Sequence, residues 1–264
     1  MSADTTPGIR LRIESIPDAG GVVAHVTIDH ERKLNALNTP LLREFADAIG
    51  EIGKRDDLRA AVVTGAGTRA FVGGADIREM AAIRDGASAR RFIEGVHAAC
   101  RAVRDLPVPV IARVNGYALG AGLELMASCD LRVAADNAHF GMPEVLVGLP
   151  SVVEASVLPG LIGWGRTRRL LLLGETVGAA EAEAWGLVER VVPAAALDGA
   201  VADWVAKLCA AGPRAVRIQK RLIRDWEALS PDAGAVAGID AFASAWDSDE
   251  PARMLNNFLD RKKA

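Results

Sequence analysis

Short apolar stretches that keep alternating with helix-patterned ones constrain this chain more than any other feature. Strand-like runs fall at 9–16, 22–29, 60–64, 110–114 and 131–134. Between them, apolar residues recur at three-to-four spacing: Leu41, Phe45, Ala48, Ile49 and Ile52 mark one helix face, Phe92, Val96, Cys100 and Val103 another. Thr39-Pro40 reads as a cap with proline in the first turn, and Pro107 and Pro109 stop the second helix. Strands separated by helices pair in parallel through crossovers, so the pattern predicts an α/β core. The alternation ends near Ala195, and stripes such as Val216/Leu222/Ile223/Trp226 predict a helical end to the chain.

The 264 residues suit one large domain, or a domain with an appendage. A core of that size buries about three-quarters of the unfolded surface and needs no disulfide or metal. The net charge of −3 argues against a chain-wide nucleic-acid surface. Cys100, Cys129 and Cys209 are odd in number and lack metal-ligand spacing, so they read as reduced, buried thiols. The longest charge-free run, 155–165, falls well short of the roughly 20 residues a bilayer requires, and the first residues lack a signal-peptide layout. The expectation is a soluble, cytoplasmic protein with no membrane contact.

Gly65-Ala66-Gly67-Thr68-Arg69-Ala70 imitates a dinucleotide fingerprint, but Phe71-Val72-Gly73-Gly74 follows where a helix should begin. No G-x-S-x-G elbow is present, and His25, His30, His97 and His139 lack metal spacing. His25 and His97 read as packing or surface residues, and Arg166/Arg168/Arg169 and Lys220/Arg221/Arg224 as solvated helix faces.

Two segments carry more. Phe71–Met80 and Asn115–Glu124 each run through a glycine-rich turn into a helix start. Such turns let backbone approach a ligand and leave first-turn amides unpaired. Two together offer two N–H donors to one oxygen, as an oxyanion hole does; singly, each reads first as a plain strand-to-helix joint. Glu124, between Leu123 and Leu125, and Glu144, just before Val145-Leu146-Val147, place carboxylates among apolar neighbours. That setting tunes an acid for proton transfer, although Glu124 could also serve only the helix N-terminus.

In this combination the chain resembles the crotonase superfamily, also called the enoyl-CoA hydratase/isomerase family. Lys33–Asn38 is similar to the family's first substrate-contacting loop, with Lys33, Leu34 and Ala36 as candidate contacts. Ala70–Ile77 resembles its first oxyanion loop and Val110–Glu124 its second. Phe140–Glu144 matches the segment bearing the second acid, and Ala184–Val188 a marker ahead of the helical end. The resemblance implies a spiral of ββα units over 1–195 with an acyl-CoA site, and a helical trimerisation region over 196–264. It further implies homotrimers, often paired into hexamers.

The same resemblance implies an enoyl-CoA hydratase, with no metal or redox cofactor. The backbone amides of Ala75 and Ala121 would hold the thioester oxygen, Glu124 would direct water, and Glu144 would deliver a proton. Asp76, Ile77, Arg78, Leu119, Gly120, Pro143 and Ser151 complete the expected substrate contacts. Arg78 and Lys33 are the expected phosphate anchors, ahead of Arg261 and Lys262. The sequence departs from the family at Pro150–Val157, where Val152, Val153 and a third carboxylate, Glu154, replace a glycine-rich stretch. That departure keeps an isomerase, hydrolase or lyase as the alternative, with a non-catalytic CoA-ester- or RNA-binding relative behind it.

Overall fold

The structure is a computed structural model describing residues 6–17 and 20–261. The chain opens with β1 (Gly8–Ser15), β2 (Val22–Asp29), α1 (Thr39–Gly53), β3 (Leu58–Gly65) and β4 (Ala70–Val72). It continues through α2 (Ile77–Ala82), α3 (Gly86–Asp105), β5 (Val110–Val114), β6 (Tyr117–Leu119) and α4 (Ala121–Ala127). Then come β7 (Leu131–Ala135), β8 (His139–Gly141), α5 (Leu158–Leu173), β9 (Thr176–Gly178), α6 (Ala179–Trp185) and β10 (Arg190–Val192). Four helices close it: α7 (Leu197–Ala210), α8 (Pro213–Trp226), α9 (Pro231–Ala245) and α10 (Glu250–Arg261).

Two sheets share these strands. The larger has the order β1-β2-β3-β5-β7-β10, antiparallel only between β1 and β2. The smaller, β4-β6-β8-β9, is parallel from β4 to β8. Each circuit of the chain gives a strand to the large sheet and the next to the small one: β3 then β4, β5 then β6, β7 then β8. That repetition is the ββα spiral. The small sheet is absent from the strand pattern read above, where Phe71-Val72 counts only as part of a loop; three-residue strands are too short to show a period of two.

The large sheet is apolar on both faces, as a covered parallel sheet must be. Ala61, Val63, Val110, Ala112 and Val114 meet α1 and α3 through Leu41, Phe45, Ile49, Phe92 and Val96. The alternate residues Val23, Val62, Ile111 and Val133 meet Leu197, Ala200 and Val201 of α7. The α1 cap is Asn38 rather than Thr39: its side chain accepts from Leu41 N, because Thr39 is already helical and Pro40 has no N–H to satisfy.

Lys220 is not on a solvated face. It is buried, pairs with Asp130 at 2.7 Å and donates to Val108 O at 2.9 Å. Trp204 packs onto the α7 side of the sheet, whereas Trp226, Trp246 and Phe258 remain largely exposed. Around the last two, Val236, Ile239, Phe242, Leu255 and Leu259 are each more than half exposed. No helix among the described residues is long and apolar enough to cross a membrane.

Candidate active site

The functional segments converge at one edge, the C-terminal ends of β4, β6 and β8. Directly after these adjacent parallel strands come Gly73–Asp76, Gly120–Glu124 and Met142–Glu144. The sheet therefore brings together residues far apart in sequence.

The first loop is laced to the 33–37 segment. Gly73 N donates to Leu34 O at 2.8 Å, Leu37 N to Gly74 O at 2.9 Å and Asp76 N to Leu37 O at 2.8 Å. Leu34 and Asn35 both adopt left-handed backbone, φ 55° and 58°, which costs energy at leucine. The buried Asn35 amide holds them there by donating to Ala66 O and Ala70 O, both at 2.9 Å. Asn115 Nδ2 similarly donates to Gly65 O and Gly67 O, so the glycine turn that imitates a dinucleotide loop spends its carbonyls joining β3 to β4.

Between those tied groups the Ala75 amide has no protein acceptor among the described residues. Across the cleft, Leu123 N and Glu124 N both donate to Gly120 O, at 2.8 and 3.0 Å. The amide of Ala121, first residue of α4, likewise lacks an acceptor among the described residues, as helix starts require. The loops touch: a Cβ on Gly74 would lie 3.3 Å from Leu119 O.

Glu124, in the first turn of α4, is 3% exposed. Its Oε1 accepts from Ala155 N at 3.2 Å. Burial, the charge of Glu144 and the charge of Glu154 push its carboxyl up to about 8, against the pull of the Ala155 amide. Glu144 stands in a 3₁₀ turn, Pro143–Val147, that follows β8 without a gap of more than one residue. Ser151 Oγ donates to its Oε2 at 2.7 Å. Its Oε1 lies so close to Gly120 that a Cβ there would sit 2.4 Å away, and Gly120 has φ 51°. Only glycine lets the second acid come this close to the α4 N-terminus.

The remaining expected contacts divide. Ile77 is 70% exposed, and Leu34, Ala36, Leu119 and Pro143 are half-buried. Asp76 is committed internally: its Oδ1 caps α2 through Arg78 N and Glu79 N, and its Oδ2 pairs with Lys33 Nζ at 2.6 Å. The Lys33 hydrogen bond holds its carboxyl below the usual range. Arg78 is exposed, with no side-chain partner among the described residues. Lys262 and the side chain of Arg261 lie outside the described residues. No cluster of possible metal ligands occurs among the described residues.

One participant is not read from the sequence. His97, taken there as packing or surface, bonds through Nδ1 to Glu154 Oε1 at 2.8 Å. The pair spans 57 positions and no local motif announces it.

The nested sheets and the paired amide-bearing loops define a crotonase-fold protein. Its relatives agree. Residues 18–264 match the family model for enoyl-CoA hydratase/isomerase. The chain is 35% identical over 244 residues to the short-chain-enoyl-CoA hydratase of Clostridium acetobutylicum, covering 92% of this chain and 93% of that protein. It is 33% identical to the crotonyl-CoA hydratase of Syntrophomonas wolfei, with the same coverage. Among solved structures, enoyl-CoA hydratase from Bacillus anthracis superposes with a TM-score of 0.89 at 30% identity, covering 96% of each chain. Pseudomonas aeruginosa DspI superposes with a TM-score of 0.89 at 32% identity, covering 99% of this chain and 98% of that one. The chain belongs to the enoyl-CoA hydratase/isomerase family.

Proposed function

We propose that the protein is an enoyl-CoA hydratase, adding water across the 2,3 double bond of a 2-enoyl-CoA thioester to give the 3-hydroxyacyl-CoA. One observation carries this reading: two glutamates, Glu124 and Glu144, meet beside two acceptor-free amides at adjacent strand ends. The Ala75 and Ala121 amides polarise the thioester carbonyl, so carbon 3 becomes electrophilic and charge gathers on oxygen. Water's oxygen bonds to carbon 3 while Glu124 takes its proton, and Glu144 gives a proton to carbon 2. The pair thus keeps one proton throughout. In the free protein Glu124 holds that proton below about pH 8, and the reaction runs from the arrangement in which Glu144 carries it. The reaction is redox-neutral and the amides meet the developing charge, so it calls for no resident cofactor.

The test is loss of the conjugated thioester absorbance when the protein meets crotonyl-CoA. Turnover supports the reading; none across a range of acyl lengths overturns it. The departure from the family over Ser151–Ser156 favours, as the second reading, an isomerase that moves a proton with Glu144 alone. Glu124→Gln separates the two, costing a hydratase orders of magnitude and such an isomerase little.

The exposed apolar faces of α9 and α10 support assembly into trimers or paired trimers. Light scattering that shows a monomer at micromolar concentration would exclude it. Three free, buried thiols and a net charge of −3 support a cytoplasmic protein without a nucleic-acid partner.

A further inference from the structure

We propose that Glu154 is a positioning residue for the chemistry at Glu124: anchored by His97, it fixes the Ala155 amide on the Glu124 carboxylate and sets a second buried charge behind it. Three independent observations meet here. Glu154 is 5% exposed, yet its Oε2 has no hydrogen-bond partner among the described residues, a costly state for a carboxylate that serves packing alone. The peptide between Glu154 and Ala155 carries the N–H that Glu124 accepts at 3.2 Å. The residue before it, Val153, sits at φ 38°, a region a β-branched side chain rarely occupies. The backbone is strained where it delivers these two groups.

The other end of the assembly reaches outward. His97 on α3 holds Glu154 at 2.8 Å and keeps about half of its own side chain exposed. That hydrogen bond fixes the Glu154 side chain, and the charge of Glu154 raises the Glu124 carboxyl. The groups around them are few. From α3, Cys100 faces both carboxylates, and burial lifts its thiol far above its usual range, so it stays neutral. The charge of Glu144 also raises Glu124. The cations of α5, which packs on this segment, turn elsewhere: Arg166 donates to Trp185 O, Arg168 lies over Trp164, and Arg169 pairs with Glu175 and Glu181. The charge this segment sets on Glu124 is thus that of Glu154, held in place by His97.

What Glu124 does in catalysis rests on the hydratase reading; where it titrates does not. The experiment follows the protonated-carboxyl infrared band of Glu124, assigned by its loss in Glu124→Gln, across pH in the unliganded protein. Glu154→Gln keeps the shape and removes the charge, and the Glu124 midpoint falls by about one pH unit. His97→Ala removes the hydrogen bond that anchors Glu154, and the midpoint moves by less than in Glu154→Gln. A lower midpoint in Glu154→Gln at an unchanged melting temperature marks an electrostatic positioning role. A midpoint unmoved in both variants overturns the proposal, including when melting temperatures fall, since that pattern is a packing role. Crotonyl-CoA turnover by the unmodified protein is scored separately, so absent turnover removes the hydratase reading without deciding this one.

Discussion

The two sheets of this protein solve different problems. In the large sheet, strands of five to eight residues build the ladder from β1 to β7, and those from β2 to β7 stack buried valine, isoleucine and alanine on both faces. In the small sheet every strand has three residues, so the ladder holds little by itself. It is fixed instead by side-chain pins and close backbone contact. Asn35 and Asn115 take up four turn carbonyls, and a Cβ on Gly122 would lie 2.1 Å from Val72 O. A region held this way keeps unpaired amides and buried carboxylates in place, while the long ladder supplies stability. The candidate site lies where the hydrogen-bonding is least regular, on a scaffold of longer strands.

The largest effects that test this division fall on the two acids. Glu144→Gln and Glu124→Gln should each lower kcat for crotonyl-CoA hydration by about 10²–10⁴. Their stabilities should differ. Between about 4.5 and about 8 the folded protein keeps the Glu124 proton that the unfolded chain releases, so folding stability falls as pH rises through that window. Glu124→Gln removes this penalty and should stabilise by roughly 3 kcal/mol at neutral pH, with little gain at pH 5. Thermal melts at several pH values measure it; an equal gain at every pH would show that the burial of Glu124 carries no such penalty. In the unmodified enzyme, hydration should decline above about pH 8, where the pair loses its one proton.

A paired substitution tests the contrast directly. Val63→Ala, at a fully buried site of β3, should cost about 1–3 kcal/mol and leave kcat within about twofold. Gly122→Ala should cost a similar 1–3 kcal/mol of overpacking but lower kcat by roughly 10² or more, since α4 must retreat from β4 and carry Ala121 and Glu124 with it. Equal kinetic losses from the two would erase the distinction between scaffold and site.

The same contrast governs what the sequence displays. β2 and β5 have the limits read from the sequence, 22–29 and 110–114, because a continuous apolar run bounded by polar or turn residues is a local signal. β4, β6, β8 and β9 are invisible to that reading; their strand character comes from neighbours that the spiral places beside them. Glu124 and Glu144 stand out because acids among apolar residues are anomalous wherever they occur. The His97–Glu154 pair does not, since a histidine on a helix acquires meaning only from the carboxylate that folding brings to it. Asp76 shows the converse: a residue in the right motif whose side chain is consumed by Lys33 and the α2 cap.

The smallest effect concerns the charged rim of the small-sheet side. Lys33 and Arg78 are both candidates for the phosphates of a CoA thioester, but they are not equivalent. Lys33 spends its ammonium on Asp76, whereas Arg78 stands in the first turn of α2, where the helix dipole disfavours a cation, with no side-chain partner among the described residues. An anionic ligand would relieve that local cost. Arg78→Ala should therefore raise KM about threefold with kcat nearly unchanged, the size expected of one exposed ion pair and the pattern of lost uniform binding. Added salt should shrink the difference between variant and parent, because it screens the contact the variant lacks. Lys33→Ala should raise KM less, since its first effect is to release Asp76. Steady-state kinetics at two ionic strengths measure all of this. If KM for Arg78→Ala stays put while kcat falls, Arg78 supports the geometry of the Ala75 loop, and the phosphates lie against another part of the surface.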